Sequence, residues 1–172
     1  GGIVGLDVTQ GLPRVEEIFE SRTPKSKSAL AESTGKVSFE ETDDELIVTI
    51  KNQDSDEETH KLSLNTPLNV EDGDLIAAGD KITAGSVDLD ELLEVRGLLA
   101  TQQHIVTEAQ HVYESQGILI HDKHFEIIAH KMGDKVKIKE SGDTELLTGE
   151  VIERAKFVEE NDSVMAAGGE PA

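Results

Sequence analysis

Apolar positions recur with two different periods along this chain, and the change of period divides it. Leu12, Val15, Ile18 and Phe19 share one helical face, and Pro13 suits a first helical turn, so a helix is predicted from about Pro13 to Ser21. Glu16 and Glu17 lie near the positive end of its dipole. From residue 29 the period falls to two. Ala29–Ser33 is a short strand candidate, Lys36–Glu41 alternates through Val37 and Phe39, and Glu45–Lys51 places Leu46, Val48 and Ile50 on one face. Leu62 and Leu64 alternate again beyond an acidic tip at 52–58. These segments predict an antiparallel meander. Asp72-Gly73 and Gly79-Asp80 are tight-turn signals that bracket a strand at Leu75-Ile76, with Ile82 opening the next.

After residue 87 the helical period returns. Asp88 is a candidate N-cap for a helix at 87–95 that Gly97 ends. Leu98–Gln116 carries a stripe through Ile105, Ala109 and Val112, and Gly117 stops it. Asp122–Met132 is a further helix with Phe125 and Ile128 inward, and Lys135–Lys139 alternates as a last strand. Leu146 and Leu147 are predicted to plug a core edge, and residues 149–161 read as strand or helix. The fold class is therefore α+β: a small antiparallel β-barrel or sandwich-hybrid-like domain with an N-terminal helix and a C-terminal helical part. The expected divisions are 1–22, 23–87, 88–161 and a disordered linker at 162–172.

Composition narrows the function. A net charge of −20 over 172 residues argues against this chain binding nucleic acid by itself, because phosphate contacts need clustered Lys and Arg. The same charge disfavours an anionic membrane surface, and no apolar run nears the roughly 18 residues needed to span a bilayer. Zero cysteines exclude disulfides and thiolate chemistry, as expected of a cytoplasmic protein. With aromatics at 3%, the core must come from Leu, Ile, Val and Ala. The chain opens on Gly1 and closes on a linker-like Ala-Ala-Gly-Gly-Glu-Pro-Ala, which suggests an excised piece of a longer polypeptide.

Candidate chemistry is sparse. His121, His124 and His130 are the most site-like cluster, but no third ligand has firm geometry and no zincin-type Glu separates the pair. Capping and buried hydrogen bonding are the competing reading, and no metal site is assigned. The Gly-Asp cadence of 70–85 is shared with biotinyl and lipoyl carriers, which makes a free-standing carrier-like or regulatory β domain the alternative function. That alternative needs a lysine displayed at a hairpin tip, and Lys81 stands after the turn. Arg22, Lys25 and Lys27 form the one basic cluster near the N-terminus, read from composition as a solvated loop. Gly1, Gly2, Gly5 and Gly11 each weaken a helix by roughly 1 kcal/mol against alanine, so a helix jointed at Gly11 could order and disorder at little cost.

Asp7–Arg22 reads Asp-Val-Thr-Gln-Gly-Leu-Pro-Arg-Val-Glu-Glu-Ile-Phe-Glu-Ser-Arg. It closely resembles the second half of the trigger loop in the β′ subunit family of bacterial RNA polymerase, Asp-Ile-Thr-Gln-Gly-Leu-Pro-Arg-Val-x-Glu-Leu-Phe-Glu-Ala-Arg. Three later words keep the family's order: Glu108–Ile118, His121–Ile128 and Ser141–Glu150. The resemblance covers about residues 3–161.

The resemblance implies part of a nucleotidyltransferase assembly whose catalytic centre lies outside this chain. It implies that Gly5, Gly11, Leu12, Pro13 and Arg14 belong to the hinge and helix of a loop that folds over the incoming nucleotide. It further implies a jaw-side β domain near downstream DNA, and Arg22, Lys25 and Lys27 facing nucleic acid. The implied partners are the β, α and ω subunits, a sigma factor and downstream DNA. The implied cofactors, Mg²⁺ and a zinc site, lie elsewhere in the full subunit, and the implied location is the cytoplasm. The chain departs from the family at His130–Lys135, where Gly133 and Asp134 replace an apolar and a basic residue. That change is expected to remove a basic contact and shorten the helix.

Overall fold

The computed structural model describes residues 11–172, so Gly5 and the rest of the stretch before Gly11 lie outside the described residues. The elements are α1 (Leu12–Phe19), β1 (Gly35–Glu41), β2 (Glu45–Lys51), β3 (Glu57–Ser63), β4 (Leu75–Ile76), α2 (Leu89–Ser115), α3 (Asp122–Met132), β5 (Lys135–Lys137), β6 (Val151–Glu153) and α4 (Arg154–Ala166). The fold is α+β, as the change of period predicts. Two compact units meet in sequence between Ile120 and His121. The break falls inside the expected 88–161 segment, because α2 packs on α1 and is tied through Arg96 to the Ala78–Asp80 turn.

In the first unit, four antiparallel strands form a half-barrel sheet in the order β3-β2-β1-β4. The register sets Val37 opposite Ile50 and Phe39 opposite Val48. Val37, Val48 and Ile50 turn to one face and are buried with Ala31, Val70, Ile76 and Ile82, while Phe39, Leu46 and Leu62 pack beside them. Each such aliphatic side chain contributes roughly 1.5–3 kcal/mol. The strands predicted around Ala29–Ser33 and Ile82 are shorter than their pattern suggests. They survive as isolated bridges, Leu30 with Lys81 and Leu68 with Thr83. Side-chain bonds supplement the backbone ones here: the Ile82 amide donates to the Ala29 carbonyl at 2.8 Å, Ser28 Oγ donates to the Thr83 carbonyl at 2.6 Å, and the Ala29 amide donates to Thr83 Oγ1 at 2.9 Å.

Gly97 has φ 78° and ψ 178°, so α2 is two helices meeting at a kink, as the glycine predicts. Asp88 caps the first by accepting from the Asp90 and Glu91 amides. The second carries the buried stripe Ile105, Ala109 and Val112.

In the second unit, β5 pairs with β6 over a core of Ile138, Leu146 and Ile152, joined by Val136, Phe157 and Ala172. Leu146 fills the core as predicted, whereas Leu147 is 71% exposed. The ambiguous stretch 149–161 holds both a strand and a helix. Order continues past 161, against the expected disorder. α4 runs to Ala166, and the buried Asn161 side chain accepts from the Ala172 amide at 2.8 Å and donates to its carbonyl at 3.2 Å. The Asp143 amide and the Glu170 carbonyl pair at 2.8 Å, tying the tail back to the 141–144 turn. Among the described residues, no helix is long and apolar enough to cross a membrane.

Candidate functional site

The site begins at α1, which is only eight residues long and too short to persist alone. Gly11 supplies the entry. Its φ of 67° is one that residues with a Cβ rarely adopt, and its carbonyl accepts from the Arg14 and Val15 amides. Pro13 occupies the first turn. The exit is a Schellman arrangement: the Ser21 amide donates to the Ile18 carbonyl and the Arg22 amide to that of Glu17, with Ser21 at φ 49°. This places the end of the helix at Phe19, two residues before the predicted Ser21. The buried face also differs from the apolar pattern. Val15 and Ile18 are buried, but Leu12 is 62% exposed and the polar Arg14 and Glu17 take its place.

Arg14 is the centre of this face. α1 packs on α2, and the Arg14 guanidinium forks between Glu17, one turn on at 3.2 Å, and Glu108 of α2 at 3.5 Å. His104 lies one helical turn before Glu108, and its Nε2 is buried with no hydrogen-bond partner among the described residues. Burial lowers the His104 pKa. Arg14, Lys81 and Arg96 push in the same direction, and Glu108 opposes them.

The basic cluster is largely engaged. Arg22 is exposed and pairs with Glu20. Lys27 reaches Glu91 at 2.5 Å and Asp88 at 4.0 Å, which ties the connector to the start of α2. The hydrogen bond to Glu91 is the main reason the Lys27 pKa is raised. Lys25 is exposed. An open depression of about 810 Å³ beside Lys27 also carries His60, Glu32, Glu91 and Glu94, so its wall lacks the single-sign field that gathers phosphate.

Two further local arrangements bear on residues singled out in the sequence. His121 caps α3 by accepting from the Lys123 amide, and α3 ends at Met132 with Gly133 as its C-cap. Asp134 engages Lys131, and Arg154 Nε donates to the Gly133 carbonyl at 2.9 Å. Lys81 pairs with Leu30 in a bridge, and its Nζ donates to the Gly85 carbonyl at 3.2 Å. It is not held out at a hairpin tip, as a carrier lysine would be.

Sequence reasoning missed Glu58, placed in the acidic tip at 52–58. Its carboxylate accepts from the Glu32 and Ser33 amides, from Ser33 Oγ, and pairs with His60 Nε2. One carboxylate among 36 acidic residues carries no sequence signal of that role.

Comparison with known proteins decides the lineage. The family model described as RNA polymerase Rpb1, domain 5, matches residues 1–163. The chain belongs to that family. The full chain is 47% identical to the DNA-directed RNA polymerase subunit β′ of Thermobifida fusca, 46% to that of Caldicellulosiruptor saccharolyticus and 42% to that of Clostridium botulinum. It spans 13%, 15% and 15% of those relatives' lengths. Within this Rpb1 domain 5 chain, α1 and its seat on α2 are formed by two of the words that carry the resemblance, Asp7–Arg22 and Glu108–Ile118.

Proposed function

We propose that this chain is the part of an RNA polymerase β′ subunit that roots the trigger loop and forms scaffold on the downstream-DNA side. In this reading α1 is the base of the moving arm, Gly11 is its joint, and Leu12, Pro13 and Arg14 start the rigid part. Closure of such an arm over a nucleoside triphosphate positions the substrate and excludes water. The chain's own part is mechanical. In this reading the metal ions of nucleotide joining belong to other parts of the subunit. The working partners are the β, α and ω subunits, a sigma factor and downstream DNA, in the cytoplasm. Of the three basic residues, Lys25 is the best placed to face DNA, since Arg22 and Lys27 are held by carboxylates.

The observation that carries the reading is the left-handed Gly11 leading directly into a short helix seated on α2, within a chain aligned over its whole length to β′ subunits. The test is Gly11→Val in the assembled polymerase, with single-nucleotide addition followed by rapid quench. The expected result is a loss of about tenfold or more in addition rate with template binding intact. A wild-type rate from an enzyme that assembles normally overturns it.

A further inference from the structure

We propose that Arg14 is a positioning residue, its guanidinium fork to Glu17 and Glu108 fixing the rotation of α1 on α2 and thereby the direction in which the chain enters Gly11. The inference rests on the reading of α1 as the root of a moving arm.

Apolar burial alone cannot fix the seat of α1. The helix fully buries two aliphatic side chains, Val15 and Ile18, while Phe19 is half-buried and Leu12 faces outward. Two anchors on one face leave the helix free to roll. Arg14 removes that freedom, because Nη1 is committed to Glu17 on its own helix while Nη2 is committed to Glu108 on the neighbour. A planar guanidinium holding two carboxylates defines a direction as well as a distance.

The energetics favour registry over stability as the role. Arg14 is 6% exposed and Glu17 is 7% exposed. Taking such charges out of water costs about as much as their attraction returns, and the best-attested use of buried ion pairs is to specify one arrangement. Arg14 pairs with Glu108 at 3.5 Å, and burial lowers the pKa of His104, a turn away, which disfavours a second cation beside that carboxylate.

The experiment uses the assembled polymerase carrying Arg14→Met, Arg14→Lys, Glu108→Gln and the Arg14→Met/Glu108→Gln double variant, with Gly11→Val alongside. Nucleotide-addition rate, its dependence on nucleotide concentration, and thermal melting are measured on each. The proposal expects Arg14→Met and Glu108→Gln each to lower the maximal rate by about tenfold with a smaller change in KM, and the double variant to lose no more than the worse single. It expects Arg14→Lys, which keeps the charge without the fork, to be slowed as well. A merely stabilising Arg14 would lower the melting temperature and leave the maximal rate of the folded enzyme unchanged. Wild-type rates from the Arg14 variants, or losses that multiply in the double variant, overturn the proposal. If Arg14→Met does not assemble, Arg14→Lys and Glu108→Gln decide alone by the same criteria. Should Gly11→Val slow the enzyme while the Arg14 variants do not, the proposal fails and the arm reading stands. Should Gly11→Val also be inert, the arm reading itself fails.

Discussion

Arg96 holds Asp80 at 2.7 Å through Nη2 while its Nε donates to the Ala78 carbonyl at 2.6 Å, so the last residue before the Gly97 kink grips both sides of the Ala78-Gly79-Asp80 turn. The grip depends on Gly79. A Cβ there would sit 2.4 Å from Arg96 Nε, and its φ of 84° is strained for any other residue. Gly79→Ala is therefore expected to destabilise the first unit by roughly 1–2 kcal/mol from backbone strain, before the displaced arginine is counted. Arg96→Ala, which removes a half-exposed pair, should cost less than about 1 kcal/mol. Denaturant titration of the two variants checks the order.

Ser21 offers the opposite experiment. Its φ of 49° lies where glycine is comfortable and serine is not. Ser21→Gly is expected to strengthen the exit of α1 by about 0.5–1 kcal/mol, seen as slower amide exchange in α1 and an unchanged fold.

His104 gives the first unit a dependence on pH. Burial holds its pKa below the ordinary 6.5, so the folded chain releases the proton that an unfolded chain would keep. Stability is full above about 6.5 and declines as pH falls towards the lower folded value. The groups facing it are Glu108, Arg14, Lys81 and Arg96, and only Glu108 opposes the shift. His104→Gln should flatten the pH dependence of unfolding between neutral and mildly acid conditions, measured by melting at a series of pH values.

Glu58 acts lower on the pH scale. Burial pushes its carboxyl up, but hydrogen bonds from the Glu32 amide, His60, Ser33 Oγ and the Ser33 amide outweigh it and hold the pKa below 4.5. Its stabilising contribution is present above that ordinary value and is lost as pH falls through the depressed one. Glu58→Gln replaces one acceptor oxygen with a donor facing donors, and should cost roughly 1–3 kcal/mol at neutral pH. Amide exchange at Glu32 and Ser33 would report the loosened loop.

How far the sequence could be read follows from which forces are local. β2 and α3 fall at their predicted bounds, because alternation and capping are decided within each segment, although Ile128, expected inward on α3, is exposed and Ala129 is buried instead. The kink at Gly97 was legible for the same reason. The buried fork of Arg14 was not. The fork's intrahelical half is an Arg–Glu pair at i, i+3, visible in sequence, but its interhelical half joins residues 94 positions apart. Leu12 and Leu147 misled because hydropathy marks what can be buried, and tertiary packing selects which residues are. The order beyond Asn161 rests on side-chain bonds to the tail backbone, which composition cannot announce.

The strand order β3-β2-β1-β4 also governs what the sheet offers to foreign chains. At one margin the β4 pairing is two residues long, too brief to template an added strand. At the other, β3 turns Glu57 and Lys61 outward among polar neighbours, and charge along a rim discourages extension. A half-barrel with a short margin on one side and a charged one on the other is thereby guarded against growing into an aggregate.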